Sequence, residues 1–265
     1  MRSCLLLFLA AFLPAAAVRP AEPPVDSMSI GERFHFLTGF GDEGYRQKEP
    51  AWGKLIPLYK SYEGAPRYRL PAPRQGALTV DEAIRTRRSE RRFRPDPIPL
   101  PALAGLLVSA DGLTAGGRTE RRAAPSGGAL YPIETYVVVT GGDSLPDGLY
   151  HFQAADSSLA LLQEGDFRAA LHGAAHEQEA VGSSPVTFLF TARFERSTQK
   201  YADRGYRYVY MECGAICENL YLQAAALGLG TVAVGSFNDD ALNRFLGVDG
   251  RAEAALLMMP VGFPE

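Results

Sequence analysis

An arginine-rich stretch, residues 86–93, reads TRRSERRF. Guanidinium forks match the geometry of phosphate oxygens, and the hydroxyl of Ser89 adds a further donor. A charged run of this kind is also common as a solvated surface turn. Charge alone therefore leaves two interpretations open, a phosphate clamp and a surface turn.

The loop Pro125-Ser126-Gly127-Gly128 is a second stretch whose residue types matter, and it leads into a predicted strand. Because glycine has no side chain, a Ser-Gly-Gly loop lets the backbone approach a flat ligand closely. An ordinary loop before a strand has the same composition. The loop by itself therefore predicts no particular ligand.

Lys200 and Tyr201 form a third feature, at the start of the most apolar segment of the chain. Lysine and tyrosine can both act as general bases, although each type needs its pKa lowered from about 10 to work near neutrality. Taken alone, the pair is better explained as a surface lysine followed by an aromatic residue at a helix start.

Two pairs of possible metal ligands occur at a spacing of four residues. His172 and His176 have no third ligand in register, so they are interpreted as solvated helix residues. Cys213 and Cys217 suit two buried thiols on neighbouring helical turns better than a disulfide or a metal site. We therefore expect no metal centre.

The element that must position these residues is a long helix inside the segment from Lys200 to Phe237. Apolar residues recur on one face at three- and four-residue spacing, at Tyr206, Val209, Cys213, Ile216, Leu220, Ala224 and Leu227. The opposite face is also largely apolar, which indicates a helix in a core or at a subunit interface. Gly228 ends the helix, and residues 231–234 are predicted to form a short strand.

The rest of the body alternates helices and strands in an irregular order. The predicted helices cover residues 81–87, 99–110, 167–175 and 239–246, and the predicted strands cover residues 133–140, 148–152, 158–163, 186–192 and 254–261. Capping residues support the first and last of these helices, with Thr79 and Glu82 forming a capping box and Asn238 an N-cap. This order favours an α+β fold over a regular βαβ ladder.

Composition and the N-terminal residues set the context. At 265 residues, 46% of them hydrophobic, the chain can bury one sizeable core, and a net charge of −3 argues against nucleic-acid binding. Residues 1–17 have the pattern of a secretory signal cut after Ala17, so we expect an exported, periplasmic protein, or a cytoplasmic one if the signal is unused. Residues 18–75 are predicted to form a Pro- and aromatic-rich arm, and residues 76–265 the compact domain.

Three separated segments together resemble the flavin-dependent nitroreductase superfamily, and within it the SagB-type thiazoline/oxazoline dehydrogenases. They are Arg-Arg-Ser-x-Arg at 87–91, Pro-Ser-Gly-Gly-Ala-Leu-Tyr-Pro at 125–132, and the Lys-Tyr…Asn-Leu-Tyr-Leu…Gly-Leu-Gly…Gly-x-Phe series at 200–237. The resemblance implies a nitroreductase-like fold, with a central mixed, mostly antiparallel sheet flanked by helices. It also implies an FMN-binding homodimer with the long helix at the dimer interface.

The resemblance assigns roles to individual residues. The FMN phosphate and ribityl chain would be held by Arg87, Arg88, Ser89 and Arg91. The isoalloxazine ring would face Pro125, Ser126, Gly127 and Gly128 of the partner subunit on one side, and Val234, Gly235 and Ser236 on the other. Lys200 and Tyr201 match the pair that azoline dehydrogenases use for catalysis.

These roles fit the chemistry of azoline oxidation, in which a hydride passes to the flavin and a base removes a proton. The expected activity is therefore hydride transfer between an organic or peptide-derived substrate and FMN. Two alternatives stay open: an NAD(P)H-dependent nitro or quinone reductase, and a flavin-binding protein without turnover. Export favours the alternatives, because azoline formation takes place in the cytosol beside a cyclase.

Overall fold

A computed structural model describes residues 24–41, 44–45, 56–114, 121–142 and 144–265. The predicted signal segment, residues 1–17, lies outside the described residues, as do residues 46–55 of the predicted arm. No helix within the described ranges is both long enough and apolar enough to cross a membrane.

Eight α-helices are found in the described residues. They are α1 (Ile30–Leu37), α2 (Val80–Thr86), α3 (Leu100–Asp111), α4 (Arg168–Ala174), α5 (Glu179–Ser183), α6 (Phe194–Tyr201), α7 (Gly205–Ala226) and α8 (Asp239–Leu246). The predicted capping box of α2 is present, since the Thr79 hydroxyl accepts from the Glu82 N–H and the Glu82 carboxylate accepts from the Thr79 N–H. At the end of α8, Gly247 adopts the left-handed conformation that the sequence predicts.

The strands form one large sheet and two small hairpin-like pairs. They are β1 (Phe40–Gly41), β2 (Gly44–Tyr45), β3 (Arg67–Arg69), β4 (Leu113–Thr114), β5 (Arg121–Arg122), β6 (Ile133–Val139), β7 (Gly148–Gln153), β8 (Ser158–Glu164), β9 (Val186–Arg193), β10 (Gly230–Thr231) and β11 (Glu253–Gly262). The large sheet has the order β10-β11-β9-β6-β7-β8-β3, and its neighbouring strands pair antiparallel. A single parallel bridge joins Ser89 to Thr231 at its edge. The predicted α+β fold with a mostly antiparallel sheet is confirmed.

The predicted helices and strands of the body match the observed ones to within one residue at either end, with one exception. The strand predicted over residues 231–234 is shorter than expected. Only Gly230–Thr231 pairs with β11, and Val234 forms an isolated bridge with Met258. The chain turns away from the sheet at residues 232–233 and touches it again at Val234.

Helix α7 crosses one face of the sheet and packs against α3. Its inward face, Val209, Cys213, Ile216 and Leu220, is at most 6% exposed and belongs to the main core. The solvent side of the helix is mixed: Tyr210 and Met211 are 50% and 66% exposed, and Glu218 is also exposed. Of the second apolar face predicted for this helix, Tyr210 is therefore open to solvent, whereas Tyr221 is 7% exposed.

The described residues between 24 and 75 pack onto the body as parts of its structure. Strand β3 adds a seventh strand at the edge of the sheet, beside β8. Helix α1 packs near the start of α7, where Arg204 Nη1 donates to the Thr38 carbonyl (3.0 Å) and Arg207 Nε donates to the Thr38 hydroxyl (2.6 Å). The segment assigned to an arm thus contributes a strand and a helix to the compact domain.

Candidate active site

The arginine-rich turn is held against the exit of α7 by backbone contacts. The Glu90 N–H donates to the Thr231 carbonyl at 2.9 Å, and Ser89 forms a bridge with the same residue. A Cβ atom at Gly230 would lie 2.6 Å from the Cβ of Glu90, so the close approach requires glycine at position 230. Residues 89–90 therefore lie directly beside residues 230–231.

Tyr221 of α7 connects these two segments. Its hydroxyl lies 3.1 Å from Ser89 Oγ and accepts a 2.8 Å hydrogen bond from the Ala233 N–H. The Arg87 guanidinium lies 5.1 Å from the centroid of the Tyr221 ring, within cation–π range. Sequence reasoning placed Tyr221 only on an apolar helix face and missed this role, because nothing in its spacing reveals its hydroxyl partners.

The arginines of the turn border a cleft of roughly 340 Å³. Arg87 and Arg88 line it together with Tyr221 and the end of α7. Arg88 Nη1 donates to the backbone carbonyls of Arg85 (3.0 Å) and Arg87 (2.8 Å), and Arg91 Nη1 donates to that of Ser89 (3.3 Å). Arg88 and Arg91 remain exposed. Guanidinium groups and a hydroxyl at a cleft are a donor set that suits a phosphate.

The Ser-Gly-Gly loop makes a tight, conformationally unusual turn. Gly127–Ala129 forms one turn of 3-10 helix, with Gly128 at φ +70°. Ala129 (φ +55°) and Tyr131 (φ +44°) also adopt left-handed conformations, which are uncommon for residues with side chains. The Ser126 hydroxyl accepts a 2.9 Å hydrogen bond from the Tyr131 N–H and so closes the turn. Such strain is typical of functional sites.

Lys200 and Tyr201 contact this loop. A Cβ atom at Gly128 would lie 2.6 Å from Tyr201 Oη and 2.7 Å from Lys200 Nζ. The Lys200 Nζ also lies 5.4 Å from the centroid of the Tyr201 ring. Two of the predicted groups, the Lys-Tyr pair and the small-residue loop, therefore meet in one chain.

The Lys-Tyr pair is placed by a helix that was not predicted. Both residues end α6, and a 3-10 turn, Ala202–Arg204, separates them from α7. They are therefore not the entrance of the central helix, as the sequence suggested. Helix α6 escaped prediction because its buried side is carried largely by Arg196, which is fully buried, and not by a periodic apolar stripe.

Val234, Gly235 and Ser236 differ in what they can offer a ligand. The Val234 side chain is 3% exposed and packs in the core, and both its backbone polar groups bond to Met258. Gly235 and Ser236 are exposed, and no heavy atom lies within 4 Å of a Cβ built on Gly235. Of the three residues, only Gly235 and Ser236 present an open surface.

In one chain the predicted residues form two groups, one at each end of α7. The loop at Gly127 contacts Tyr208 near the start of the helix, and the arginine-rich turn contacts Tyr221. These two tyrosines are thirteen residues apart, which corresponds to about 20 Å along a helix axis. One chain therefore does not bring the phosphate donors and the Ser-Gly-Gly loop together.

The described residues contain no cluster of three or more His, Cys, Asp or Glu side chains placed to hold a metal ion. Cys213 and Cys217 are free thiols. Burial raises the pKa of Cys213 to about 12 and that of Cys217 to about 11.

Comparison with known proteins identifies the family to which this chain belongs. The model of the nitroreductase family matches residues 84–263, which is more than half of the chain and includes every predicted site residue. The chain belongs to the nitroreductase family. The fold described above is therefore the nitroreductase fold, and the residues discussed so far are those of a nitroreductase-family flavin oxidoreductase.

Two similar proteins show how this family member relates to others. "Putative nitroreductase MJ1384" of Methanocaldococcus jannaschii is 36% identical over 187 residues, covering 70% of this chain and 91% of that protein. Trifolitoxin-processing protein TfxB of Rhizobium leguminosarum bv. trifolii is 31% identical over 214 residues, covering 75% of this chain. The match covers 57% of TfxB, so this chain spans little more than half of that relative.

A solved structure shares the nitroreductase fold with this chain. It is the E. coli microcin synthetase McbBCD complex with truncated pro-MccB17 bound. It matches with a TM-score of 0.59 and 20% identity, over 90% of this chain and 83% of the matched chain.

The residues of this nitroreductase-family chain fit a flavin mononucleotide in two respects. Arg87 and Arg88 supply phosphate donors at a cleft, and the exposed Ser89 follows them in the same turn. Gly127 and Gly128 are exposed backbone, where a planar ring can approach closely, and Lys200 and Tyr201 lie against Gly128.

Proposed function

We propose that this protein is an FMN-dependent dehydrogenase that oxidises azoline rings in a peptide-derived substrate. The contact of Lys200 and Tyr201 with Gly128 is the single observation that carries the proposal. It places two candidate general bases against the surface that the flavin ring would occupy. A nitroreductase fold alone would be compatible with any hydride-transfer substrate, whereas a base at this position suits a reaction that must also remove a proton.

The cofactor site would be completed by a second copy of the chain. Arg87, Arg88, Ser89 and Arg91 of one copy would hold the phosphate and ribityl chain. Pro125, Ser126, Gly127 and Gly128 of the other copy would face the ring, with Val234, Gly235 and Ser236 on its second side. Two observations support this arrangement: the two groups lie about 20 Å apart along α7 within one chain, and the exposed apolar face of α7 lies between them.

A two-fold axis near the middle of α7 would bring the arginine-rich turn of one copy to the Ser-Gly-Gly loop of the other. Two antiparallel copies of the helix would place the start of one beside the end of the other. The exposed face around Tyr210 and Met211 would then be buried in the dimer core. Each dimer would contain two equivalent sites.

Bound FMN supplies the hydride acceptor. Lys200 and Tyr201, whose Nζ and ring centroid lie 5.4 Å apart, would remove the ring proton of the substrate as the hydride leaves. The relatives support a peptide-derived substrate, since TfxB is named as a trifolitoxin-processing protein.

The test is oxidation of a thiazoline-containing peptide by the FMN-loaded protein. The reaction is monitored as a decrease in the peptide mass by two hydrogen atoms. We expect Lys200→Ala and Tyr201→Phe to lower the rate at least a hundredfold, the usual contribution of a general base, with FMN still bound. Gln199→Ala is the matched control, because the Gln199 amide only donates to the Arg196 carbonyl. Unchanged turnover in Lys200→Ala would refute the catalytic assignment.

The second candidate, an NAD(P)H-dependent nitro or quinone reductase, is supported by the similarity to MJ1384 over 91% of that protein. Anaerobic addition of NADH or NADPH separates the two activities. The azoline dehydrogenase should leave the flavin absorption almost unchanged, whereas a nitroreductase should bleach it. In a flavin-binding protein without turnover, NADH or NADPH would not bleach the flavin, and the peptide mass would also stay unaltered.

Export through residues 1–17 is a separate proposal, and it rests on the sequence pattern alone. The mature protein would begin at Val18 and occupy the periplasm. N-terminal sequencing of protein from a periplasmic fraction tests this directly. A cytosolic protein that retains Met1 would contradict export without affecting the assignment of the flavin site.

A further inference from the structure

Tyr208, in the first turn of α7, is a neighbour that the Ser-Gly-Gly loop and Tyr201 share. The centroids of the Tyr208 and Tyr201 rings are 4.7 Å apart, and the rings meet edge to face at 82°, an arrangement that aromatic pairs favour. A Cβ atom built on Gly127 would lie 3.5 Å from Tyr208 Cβ and Cγ, an ordinary contact distance. Tyr208 therefore contacts two of the predicted groups, the Lys-Tyr pair and the small-residue loop.

Arg204, one helical turn earlier, holds the far end of the Tyr208 ring. Its Nε donates to the Tyr208 hydroxyl at 3.0 Å, and its guanidinium carbon lies 5.8 Å from the centroid of that ring. Both side chains are half-buried. A charged donor makes a stronger hydrogen bond than a neutral one, so this contact restricts the movement of the ring.

The same guanidinium binds the C-terminal end of helix α1. Arg204 Nη1 donates to the Thr38 carbonyl at 3.0 Å, and the guanidinium carbon lies 4.5 Å from the centroid of the Phe40 ring, within cation–π range. Arg207 donates from Nε to the Thr38 hydroxyl (2.6 Å) and from Nη2 to the His35 carbonyl. The last carbonyls of a helix lack intrahelical partners and carry its negative dipole end, so two arginines suit this position.

The backbone between Tyr201 and Arg204 is strained and closely packed. Ala202 has φ +47° and ψ −142°, a conformation that residues with side chains rarely adopt. Gly205 brings the start of α7 against α6, because a Cβ atom there would lie 2.9 Å from the α6 backbone. A strained residue keeps its conformation only where surrounding contacts hold it. The contacts of Arg204 and Tyr208 are among those that hold this end of α6.

We propose that Arg204 and Tyr208 are positioning residues that fix the ring of the proposed base Tyr201, and that the docking of α1 on Arg204 keeps them in place. This inference rests on the proposed function, in which Tyr201 helps to remove the substrate proton. A base must lie within hydrogen-bond reach of the proton it removes, and a displacement of about 1 Å can lower a rate about a hundredfold. Helix α1 is thereby part of the scaffold of the active site.

The first experiment measures kcat and KM for oxidation of a thiazoline-containing peptide, and the Kd for FMN, in variants of the full chain. Arg204→Gln and Tyr208→Phe break the same hydrogen bond, so each should lower kcat about tenfold and leave KM and Kd unchanged. The double variant should be no slower than the slower single variant, because the two side chains act through one contact. Tyr206→Phe is the matched control on the same helix; its ring stacks on Phe194 in the core, and it should turn over as wild type does.

A role through Tyr201 has a kinetic signature that a general loss of stability does not share. In a Tyr201→Phe background the ring has no proton acceptor left to position. Adding Arg204→Gln to that background should therefore lower the rate no further. A further decrease as large as in the wild-type background would show that Arg204 acts elsewhere and would overturn the inference.

A measurement without turnover tests the position of Tyr201 directly. With 3-fluorotyrosine incorporated, the fluorine NMR resonance of Tyr201 is assigned by its absence in Tyr201→Phe. It should move towards the position of the free amino acid in Arg204→Gln and in Tyr208→Leu, and by a smaller amount in Arg207→Gln, which loosens α1. An unchanged resonance in both Arg204→Gln and Tyr208→Leu overturns the positioning role, and one that is unchanged in Arg207→Gln overturns the role of α1.

This inference and the proposed function can fail separately. A wild-type protein that leaves the thiazoline-containing peptide unaltered refutes the proposed function, and the fluorine resonance still decides whether Arg204 and Tyr208 fix Tyr201. Normal kcat in both Arg204→Gln and Tyr208→Phe leaves the proposed function intact and overturns the inference. If Arg204→Gln does not fold, Arg204→Lys takes its place with the same expected results, because a lysine keeps the charge but lacks the fork that reaches both Tyr208 and Thr38.

Discussion

At the scale of single residues, a few contacts create the site, and the side chains alone do not reveal them. Arginine forks, small-residue loops and a Lys-Tyr pair stand out in the sequence because each has a chemical signature. Tyr221 does not, because a tyrosine on a helix looks the same whether its hydroxyl faces water or a buried partner. Its contacts are with Ser89 and Ala233, which come from distant parts of the chain.

Gly128 gives the sharpest prediction at this scale. Alanine there would have φ +70° and a Cβ atom 2.6 Å from Tyr201 Oη. A left-handed non-glycine residue costs about 1–3 kcal/mol, and the clash must also displace Tyr201 or Lys200. We expect Gly128→Ala to lower the free energy of unfolding by about that amount, measured in urea, and to lower kcat/KM at least tenfold.

Gly173→Ala is the matched control for this substitution. Gly173 lies in α4, and no heavy atom lies within 4 Å of a Cβ built there. Alanine favours a helix over glycine by about 1 kcal/mol, so this variant should be as stable as wild type or more stable, with normal turnover. Equal behaviour of the two variants would show that Lys200 and Tyr201 do not depend on the bare backbone at Gly128.

At the scale of elements, long apolar segments made the body predictable, and their absence hid the rest. Helix α7 carries apolar residues on more than one face, and the strands β6, β7 and β9 are buried almost throughout. Strand β3 has exposed arginines on either side of Tyr68, and α6 buries a charged residue, so neither has such a pattern. The short strand β10 is shaped by the approach of Glu90 to Gly230, a contact between distant segments.

The uncovered face of α7 carries the prediction at this scale. Met211 is 66% exposed in one chain, and the proposal buries it between two copies of the helix. Met211→Glu would place a charge in that apolar interface, where an unpaired charge costs several kcal/mol. We expect a monomer by analytical ultracentrifugation, with FMN affinity reduced by more than tenfold.

Ile30→Glu is the control for an exposed apolar residue outside the proposed interface. Ile30 is 90% exposed on α1. This variant should remain dimeric and bind FMN as wild type does. A monomeric Met211→Glu that kept full FMN affinity would show that one chain is sufficient for the site.

At the scale of the whole molecule, residues 56–75 connect the sheet to the N-terminal segment through buried polar contacts. Lys60 Nζ donates to Glu253 Oε2 at 2.8 Å and to the Tyr136 hydroxyl at 2.7 Å. The Pro57 and Leu58 carbonyls accept from Arg196 and Arg122, respectively. The sequence showed only a Pro- and aromatic-rich stretch, because these partners come from strands and helices far along the chain.

Lys60 gives the prediction for this connection. Lys60→Met would leave Glu253, 11% exposed at its side chain, without its cation. Breaking a buried pair in this way typically costs about 3–5 kcal/mol; the Lys60 side chain is 21% exposed, so we expect the lower end of that range in urea unfolding. The Arg67–Asp156 pair is the comparison, with both side chains more than 40% exposed. Arg67→Met should cost at most about 1 kcal/mol, and an equal loss in both variants would contradict a structural role for Lys60.

The central claim is that each flavin site takes its arginines from one copy of the chain and its glycine loop from the other. Co-expression of Arg87→Ala/Arg88→Ala with Gly128→Val, followed by measurement of bound FMN, tests it most directly. Neither variant should bind FMN alone, because each damages both sites of its own homodimer. Random pairing makes half of the dimers mixed, and each mixed dimer has one undamaged site, so about a quarter of wild-type FMN binding should return. No recovery in purified mixed dimers would show that both groups serve the same site within one chain.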